Sequence, residues 1–253
     1  MAGHPGYRLR WDDGIVEIRW TCGKANAMNG RSLAALKRAL DDAEAADARG
    51  VVLTGYDRFF SAGPDLVTLY DLEPRAMDAF MIDFDRLMLR AFAFSRPLIT
   101  AVGGHAVAGG CVLALAGDVR VMTADGARMG LNEIRLGVPF PAPALEIVRH
   151  AVSPTFVEAV LYEGELFGAP AALLRGMVHD LTAGDVLPVA YEACTRLAAM
   201  PAGAFAAIKA ALRGPGIERA RAHADVLREA FVTAWFAPEA RRRIGEARAA
   251  LRG

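Results

Sequence analysis

Alternation of polar and apolar residues near the start of the chain predicts a β-hairpin over residues 7–20. Residues 8–11 and 15–20 alternate, and Asp13-Gly14 between them is a turn signal. Asn29 then stands where a helix N-cap would, and leucines from Leu33 to Leu40 follow at helical spacing. The apolar run 50–54 is typical of a buried strand. The first quarter of the chain is therefore interpreted as a hairpin, a helix and a strand.

The middle of the chain repeats strand and helix patterns. Residues 75–95 have helical periodicity, 97–102 and 118–122 are short apolar runs, and Gly109-Gly110 open an apolar stretch that ends at Ala116. Strands separated by helices favour parallel pairing with helical crossovers. The sequence therefore predicts an α/β fold.

Beyond about residue 145 the pattern is almost wholly helical. Prolines occur at positions that suit helix starts: Pro154, Pro170, Pro188, Pro201, Pro215 and Pro238. We therefore expect a core over residues 1–195 and a helical C-terminal region over 196–253, both within one structural unit.

Composition excludes several functional classes. Lys and Arg number 29 and Asp and Glu also number 29, so no net charge favours nucleic acid or an anionic membrane. No charge-free apolar stretch of about 20 residues exists to span a membrane, and the N-terminus lacks the apolar core of a signal peptide. The three cysteines are widely spaced, which favours reduced thiols. We expect a cytoplasmic protein without a metal site, because no cluster has metal-ligand spacing.

Three segments could carry chemistry, namely residues 59–66, 104–111 and 130–139. Taken alone, the Gly109-Gly110 turn is more commonly explained by close helix–strand packing than by a ligand site. It is neither a P-loop nor a dinucleotide fingerprint. Glu133 lies in an apolar stretch. It is either an ordinary charge paired with Arg135 or Arg128, or a general base whose pKa is raised by desolvation.

Together these segments resemble the crotonase (enoyl-CoA hydratase/isomerase) superfamily, in the same order and spacing. The resemblance runs from about Gly14 to Ala151 and includes residues 24–29, which resemble the loop that holds the adenine side of coenzyme A. It implies the ClpP/crotonase-like fold, a repeated ββα core with a helical C-terminal region that mediates trimer formation. It also implies an enzyme of acyl-CoA and fatty acid metabolism.

The resemblance implies an oxyanion hole made of two backbone N–H groups, which stabilise negative charge on the thioester oxygen. One donor would be the N–H of Gly109, and the other would come from position 64. Position 64 is proline, which has no N–H. Either a neighbour such as Asp65 supplies the bond or the hole keeps a single donor.

A second departure concerns proton transfer. Hydratases of this family use two glutamates, and the first of these positions is Val112 here, whereas the second is Glu133. Moving a double bond needs only one base. The sequence therefore most resembles the mitochondrial-type Δ3,Δ2-enoyl-CoA isomerases, which also lack the first glutamate.

The resemblance also implies the remaining site residues. Substrate or coenzyme A would be bound by Lys24, Ala25, Ala62, Gly63, Asp65, Leu66, Leu131, Pro139 and Phe140. Coenzyme A enters as part of the acyl-CoA thioester, so no separate cofactor is expected. The expected assembly is a homotrimer or hexamer. His105 is expected to be structural, and residues 241–243 to form a solvated helix face, although a contact with a coenzyme A phosphate stays open.

Two alternatives remain open at this stage. In a hydratase, Glu163 or Glu165 would replace the missing glutamate. In an acyl-CoA-binding protein with little turnover, Pro64 would have removed an essential donor of the oxyanion hole.

Overall fold

Two sheets organise the protein, whose computed structural model describes residues 2–56 and 58–252. The eleven strands are β1 Ala2–His4, β2 Tyr7–Asp12, β3 Ile15–Trp20, β4 Gly50–Thr54, β5 Phe59–Ser61, β6 Leu98–Val102, β7 His105–Val107, β8 Val119–Thr123, β9 Arg128–Gly130, β10 Leu166–Gly168 and β11 Asp180–Thr182. The larger sheet has the order β1-β2-β3-β4-β6-β8-β11, and the smaller has the order β10-β9-β7-β5. The larger sheet is parallel from β3 to β11, and β1, β2 and β3 pair antiparallel.

Eleven helices are found in the described part of the chain. They are α1 Gly30–Ala45, α2 Leu66–Leu69, α3 Pro74–Phe92, α4 Gly109–Leu115, α5 Glu133–Leu136, α6 Ala142–Ala151, α7 Val157–Tyr162, α8 Ala169–Leu174, α9 Leu187–Ala198, α10 Ala202–Phe236 and α11 Pro238–Arg252. A short 3₁₀ turn, Pro154–Phe156, precedes α7. The side chain of Asn29 caps α1 as the sequence predicts, since it accepts from the N–H of Ser32 at 3.1 Å.

The core repeats a strand–strand–helix unit three times. In each unit the first strand joins the larger sheet, the second joins the smaller sheet, and one or more helices follow. The three strand pairs are β4-β5, β6-β7 and β8-β9. This is the ββα core that the resemblance to the crotonase superfamily implies. Helices α1, α3, α4 and α6 bury their apolar faces with the larger sheet in one hydrophobic cluster. Helix α9 covers a second, smaller cluster with β4 and β6.

The prediction of an almost wholly helical chain after residue 145 was wrong in two places. Strands β10 and β11 are three residues long and pair with β9 and β8, which lie far away in sequence. Such short edge strands have no local periodicity that would reveal them.

Although the sequence predicts a helix start at Pro215, this residue does not begin a helix but lies inside α10. The flanking buried residues Arg213 and Ile217 hold that helix against the core, so tertiary contacts offset the lost hydrogen bond.

A buried ionic cluster attaches α10 to the core. Asp118, at the start of β8, contacts Lys209 Nζ at 2.7 Å and the guanidinium of Arg213 at 2.8 Å. Arg213 also donates to the carbonyls of Phe92 at 2.7 Å and Ala116 at 2.9 Å, at the C-terminal ends of α3 and α4. Cations are favoured at helix C-termini, where carbonyls lack partners. The cluster therefore fixes how α10 lies across α3 and α6.

The expected division between residues 195 and 196 falls inside α9 and stays a prediction. In the ranges 2–56 and 58–252, no helix combines the length and apolar composition needed to cross a membrane.

Candidate active site

The glycine turn before α4 is tightly constrained. A Cβ at Gly109 would lie 2.8 Å from the ring of Phe84, and one at Gly110 would lie 2.3 Å from the carbonyl oxygen of Ser61. Ala108 between β7 and α4 has φ 50° and ψ −125°, an unusual conformation for a residue with a side chain. Its N–H donates to the carbonyl of Gly130 at 2.8 Å. Close packing therefore requires both glycines, and the same turn orients the first N–H groups of α4.

The N–H of Gly109 has no acceptor among the described residues. It is the first helical residue of α4, where backbone N–H groups lack intrahelical partners. This open donor is what an oxyanion hole requires.

The loop that faces this turn has used its own donors. Ala62 N–H donates to Ala25 at 2.9 Å, Gly63 N–H donates to Ser61 Oγ at 3.1 Å, and Asp65 N–H donates to Met28 at 2.8 Å. Pro64 has no N–H. Asp65 is therefore not a free replacement for the missing backbone donor.

The Asp65 carboxylate is also held in place. It accepts from Thr68 Oγ1 at 2.6 Å, from the Thr68 N–H at 3.2 Å and from Asn29 Nδ2 at 3.0 Å. Partial burial acts to raise its pKa, but these hydrogen bonds outweigh burial and lower the pKa of Asp65 below its ordinary value. A fixed negative charge therefore lies at the start of α2.

Glu133 begins α5 and is 8 % exposed. Its Oε2 atom is buried without a hydrogen-bond partner in the described part of the chain. Burial raises the pKa of Glu133 to about 8, although backbone hydrogen bonds of Glu133 and Asn132 act in the opposite direction. Arg135 does not pair with it, because that guanidinium contacts Glu165 and the carbonyl of Gly164. Glu133 thus has the properties of a general base rather than of a surface charge.

These groups surround one largely apolar cavity of about 80 Å³. One side is formed by the two glycine-containing loops and by α5, and the other by aromatic and aliphatic side chains of α3 and α10. The lining residues are Ala62, Pro64, Leu66, Phe80, Met81, Phe84, Val107, Ala108, Gly109, Asn132, Glu133, Leu136, Val138, Pro141, Phe231 and Trp235.

The other residues expected at the site lie outside this lining. Leu131 is fully buried, Phe140 packs half-buried against the core, and Pro139 is half-buried; Val138 and Pro141 line the cavity instead. Lys24 is exposed and Ala25 is half-buried, and Ala25 and Gly63 belong to the hydrogen-bonded loops beside the cavity.

The alternative carboxylates are not in the cavity. Glu163 is exposed at the end of α7, and Glu165 is paired with Arg135. Val112 is fully buried in the core behind the turn. Glu133 is the one carboxylate that lines the cavity in the described part of the chain.

His105 and the C-terminal arginines have structural contacts. The His105 Nδ1 atom accepts from the N–H of Arg128 at 3.1 Å, and burial lowers the pKa of His105. The guanidinium of Arg241 lies 3.5 Å from the ring centre of Tyr70. Arg242 and Arg243 form ion pairs within α11. Among residues 2–56 and 58–252, no group of three or more His, Cys, Asp or Glu side chains is arranged to hold a metal ion.

Sequence reasoning missed Asn132, Phe231 and Trp235. Asn132 could have been found as a polar neighbour of Glu133 in the same apolar stretch. No local signal marks Phe231 and Trp235, which reach the cavity only because α10 folds back over α3.

Comparison with known proteins places the chain among enzymes of acyl-CoA esters. The family model described as enoyl-CoA hydratase/isomerase matches residues 10–245. The 2,3-dehydroadipyl-CoA hydratase of Escherichia coli is 35 % identical over 191 residues, covering 74 % of this chain and 73 % of that protein. The mouse mitochondrial enoyl-CoA delta isomerase 1 is 35 % identical over 140 residues, covering 54 % of this chain and 48 % of the mouse protein.

Solved structures have the same fold. The human mitochondrial delta3-delta2-enoyl-CoA isomerase superposes with a TM-score of 0.93 at 25 % identity, covering 98 % of both chains. An enoyl-CoA isomerase of Mycobacterium tuberculosis superposes with a TM-score of 0.84 at 28 % identity, covering 89 % of this chain and 99 % of that one.

Proposed function

Because the chain belongs to the enoyl-CoA hydratase/isomerase family, we propose that it converts 3-enoyl-CoA to trans-2-enoyl-CoA with Glu133 as its single base. The observation that carries this proposal is the lone carboxylate of Glu133 in an otherwise apolar cavity. Adding water across a double bond calls for a second acid or base. Glu163 and Glu165 lie outside the cavity, so neither is suited to that role.

The reaction is a proton shift within the substrate. The ionised Glu133 removes a proton from C2, and the electron pair moves so that the double bond between C3 and C4 becomes part of a dienolate. The negative charge then rests largely on the thioester oxygen, close to the open N–H of Gly109. Glu133 returns the proton to C4, which leaves the double bond between C2 and C3 and regenerates the carboxylate.

Two properties of the site support this chemistry. An apolar cavity excludes water and raises the pKa of Glu133 to about 8. The carboxylate is then a stronger base than an exposed glutamate, yet a useful fraction stays ionised near neutral pH. The loops around Lys24, Ala25, Ala62, Gly63 and Asp65 would hold the coenzyme A portion. Coenzyme A belongs to the substrate, and we propose no separate cofactor.

We also propose a homotrimer or hexamer in the cytoplasm. Apolar residues Ile208, Leu212 and Val226 are exposed along α10, as expected of a surface covered by another subunit. All three cysteines are free thiols, which suits a reducing compartment.

The test compares wild type with Glu133→Gln on a six-carbon 3-enoyl-CoA and on its trans-2-enoyl isomer. We expect wild type to convert the 3-enoyl ester and the variant to lose at least about 10³-fold in kcat, because the only base is gone. Glu163→Gln, which changes an exposed carboxylate outside the cavity, should match wild type. Hydration of the trans-2-enoyl ester by wild type would contradict the isomerase proposal.

A binding protein with little turnover is the second candidate, and Pro64 is the observation that favours it. The loop opposite Gly109 offers no backbone donor from positions 62 to 65. Calorimetric titration with hexanoyl-CoA separates the candidates. Binding without turnover of either enoyl ester would identify a binding protein, whereas binding with Glu133-dependent turnover excludes it.

A further inference from the structure

The dienolate oxygen needs a second hydrogen-bond donor, and the backbone of positions 62 to 65 does not supply it. The N–H groups of Ala62, Gly63 and Asp65 already donate to acceptors within the protein. Pro64 has no N–H. Of the lining residues in loop 61–66, Leu66 retains an N–H without a described acceptor. That N–H lies beside the Asp65 carboxylate at the start of α2, and a fixed negative charge there opposes a second anion.

Asn132 is a side-chain donor on the cavity wall. It stands between β9 and α5, at the N-cap position of α5, but its side chain makes no capping hydrogen bond. No described residue contacts its carboxamide through a hydrogen bond, although the side chain is only half-exposed and lines the cavity. A carboxamide has two N–H donors, and neither has an acceptor among the described residues.

The other side-chain N–H on the lining is not available to a ligand. Trp235 lines the cavity with its ring, but its Nε1 atom is fully buried by its surroundings. The side-chain amide of Asn132 and the N–H of Gly109 belong to the wall of this one cavity, and neither has an acceptor among the described residues.

We propose that the side-chain amide of Asn132 is the second oxyanion donor, in place of the backbone N–H that Pro64 lacks. This inference rests on one part of the proposed function, namely that the thioester group of an acyl-CoA binds in the cavity. Asn132 then acts as a catalytic residue that touches the substrate oxygen, and it precedes the base directly in sequence. The amide is neutral, so it stabilises the developing charge without neutralising the carboxylate of Glu133.

The direct test measures polarisation of a bound thioester carbonyl. Hexanoyl-CoA labelled with ¹³C at C1 has no double bond to move, so its infrared carbonyl band reports hydrogen bonding alone. We expect the band to shift to lower frequency on binding wild type, and to lose about half of that shift in Asn132→Ala and in Asn132→Leu. Asn132→Leu fills the same space without a donor, so an unchanged shift in that variant would overturn the proposal.

Kinetics add a second readout that a structural role would not move. Loss of one oxyanion donor lowers turnover by about 10²–10³. We expect Asn132→Ala to lower kcat by that factor while its affinity for hexanoyl-CoA changes little. Ile134→Ala, on the exposed side of the same short helix, should behave as wild type.

A compensating variant tests the geometry. Pro64→Ala restores an N–H at position 64, so the double variant Asn132→Ala, Pro64→Ala should recover at least tenfold in kcat and part of the infrared shift. A double variant no better than Asn132→Ala would contradict the idea that the two groups serve one oxygen. If no variant turns over an enoyl ester but the infrared shift depends on Asn132, the isomerase proposal fails and this inference stands.

Discussion

At the scale of single residues, the site depends on groups that lack partners. The Oε2 atom of Glu133 and the N–H of Gly109 have no hydrogen-bond partner among the described residues. Unsatisfied buried polar groups destabilise a fold by about 1–3 kcal/mol each. Under the proposed function, these two groups are the base and one donor that act on a bound ester.

Glu133 gives a prediction for the pH dependence of activity. Its pKa is raised to about 8 by burial, and only the ionised form is a base. As pH rises through 8 the ionised fraction increases, so kcat/KM for the 3-enoyl ester should rise about tenfold per pH unit below 8 and level off above it. A rate profile between pH 5.5 and 9.5 checks this. A midpoint near 4.5 would mean that Glu133 is solvated and not the buried base described above.

At the scale of secondary-structure elements, α10 completes the cavity. It contributes Phe231 and Trp235, whose rings stack with their centres 5.9 Å apart, and Phe80 and Phe84 of α3 line the same cavity. Under the proposed function, these two side chains of α10 would limit the length of the acyl chain that fits.

Phe231→Ala should widen the range of substrates. One methylene in an apolar pocket changes specificity about 10–200-fold. We expect kcat/KM for a ten-carbon 3-enoyl-CoA to rise at least tenfold relative to a six-carbon one. Glu229→Gln, an exposed residue of the same helix, serves as the control. An unchanged ratio in a folded Phe231→Ala protein would show that α10 does not limit chain length.

At the scale of the whole molecule, the C-terminal helices and the sheet core are joined by buried charge. Asp118 of the core is paired with both Lys209 and Arg213 of α10, and all three side chains are nearly inaccessible. Removing one partner of a buried pair leaves an uncompensated charge. The cluster couples the position of α10, and hence of the cavity wall, to the stability of the core.

Asp118→Asn should therefore destabilise the protein by about 3–5 kcal/mol. Glu246→Gln, which removes an exposed ion pair with Arg242, should change stability by less than about 1 kcal/mol. Urea unfolding followed by circular dichroism measures both. A single transition in wild type would support one structural unit over residues 1–253. Loss of the C-terminal helices alone in Asp118→Asn would contradict that prediction.

The sequence by itself determined the hairpin, the buried strands and the glycine turn before α4. It also marked Glu133. Each of these has a local cause: alternation, a turn residue, or a charge in an apolar run. The order of those elements predicted an α/β fold with parallel strands, whereas the ββα repeat came from the resemblance to the family, which rests on matched segments in order.

Only the tertiary structure decided which groups are free to act. Whether the Asp65 N–H is available depends on Met28, which lies 37 positions earlier, and the aromatic wall depends on α10, about 100 positions after Glu133. Pro215 continues a helix because buried neighbours hold it there. Hydrogen bonding and burial between distant segments arise from three-dimensional packing, and a local pattern carries no record of them.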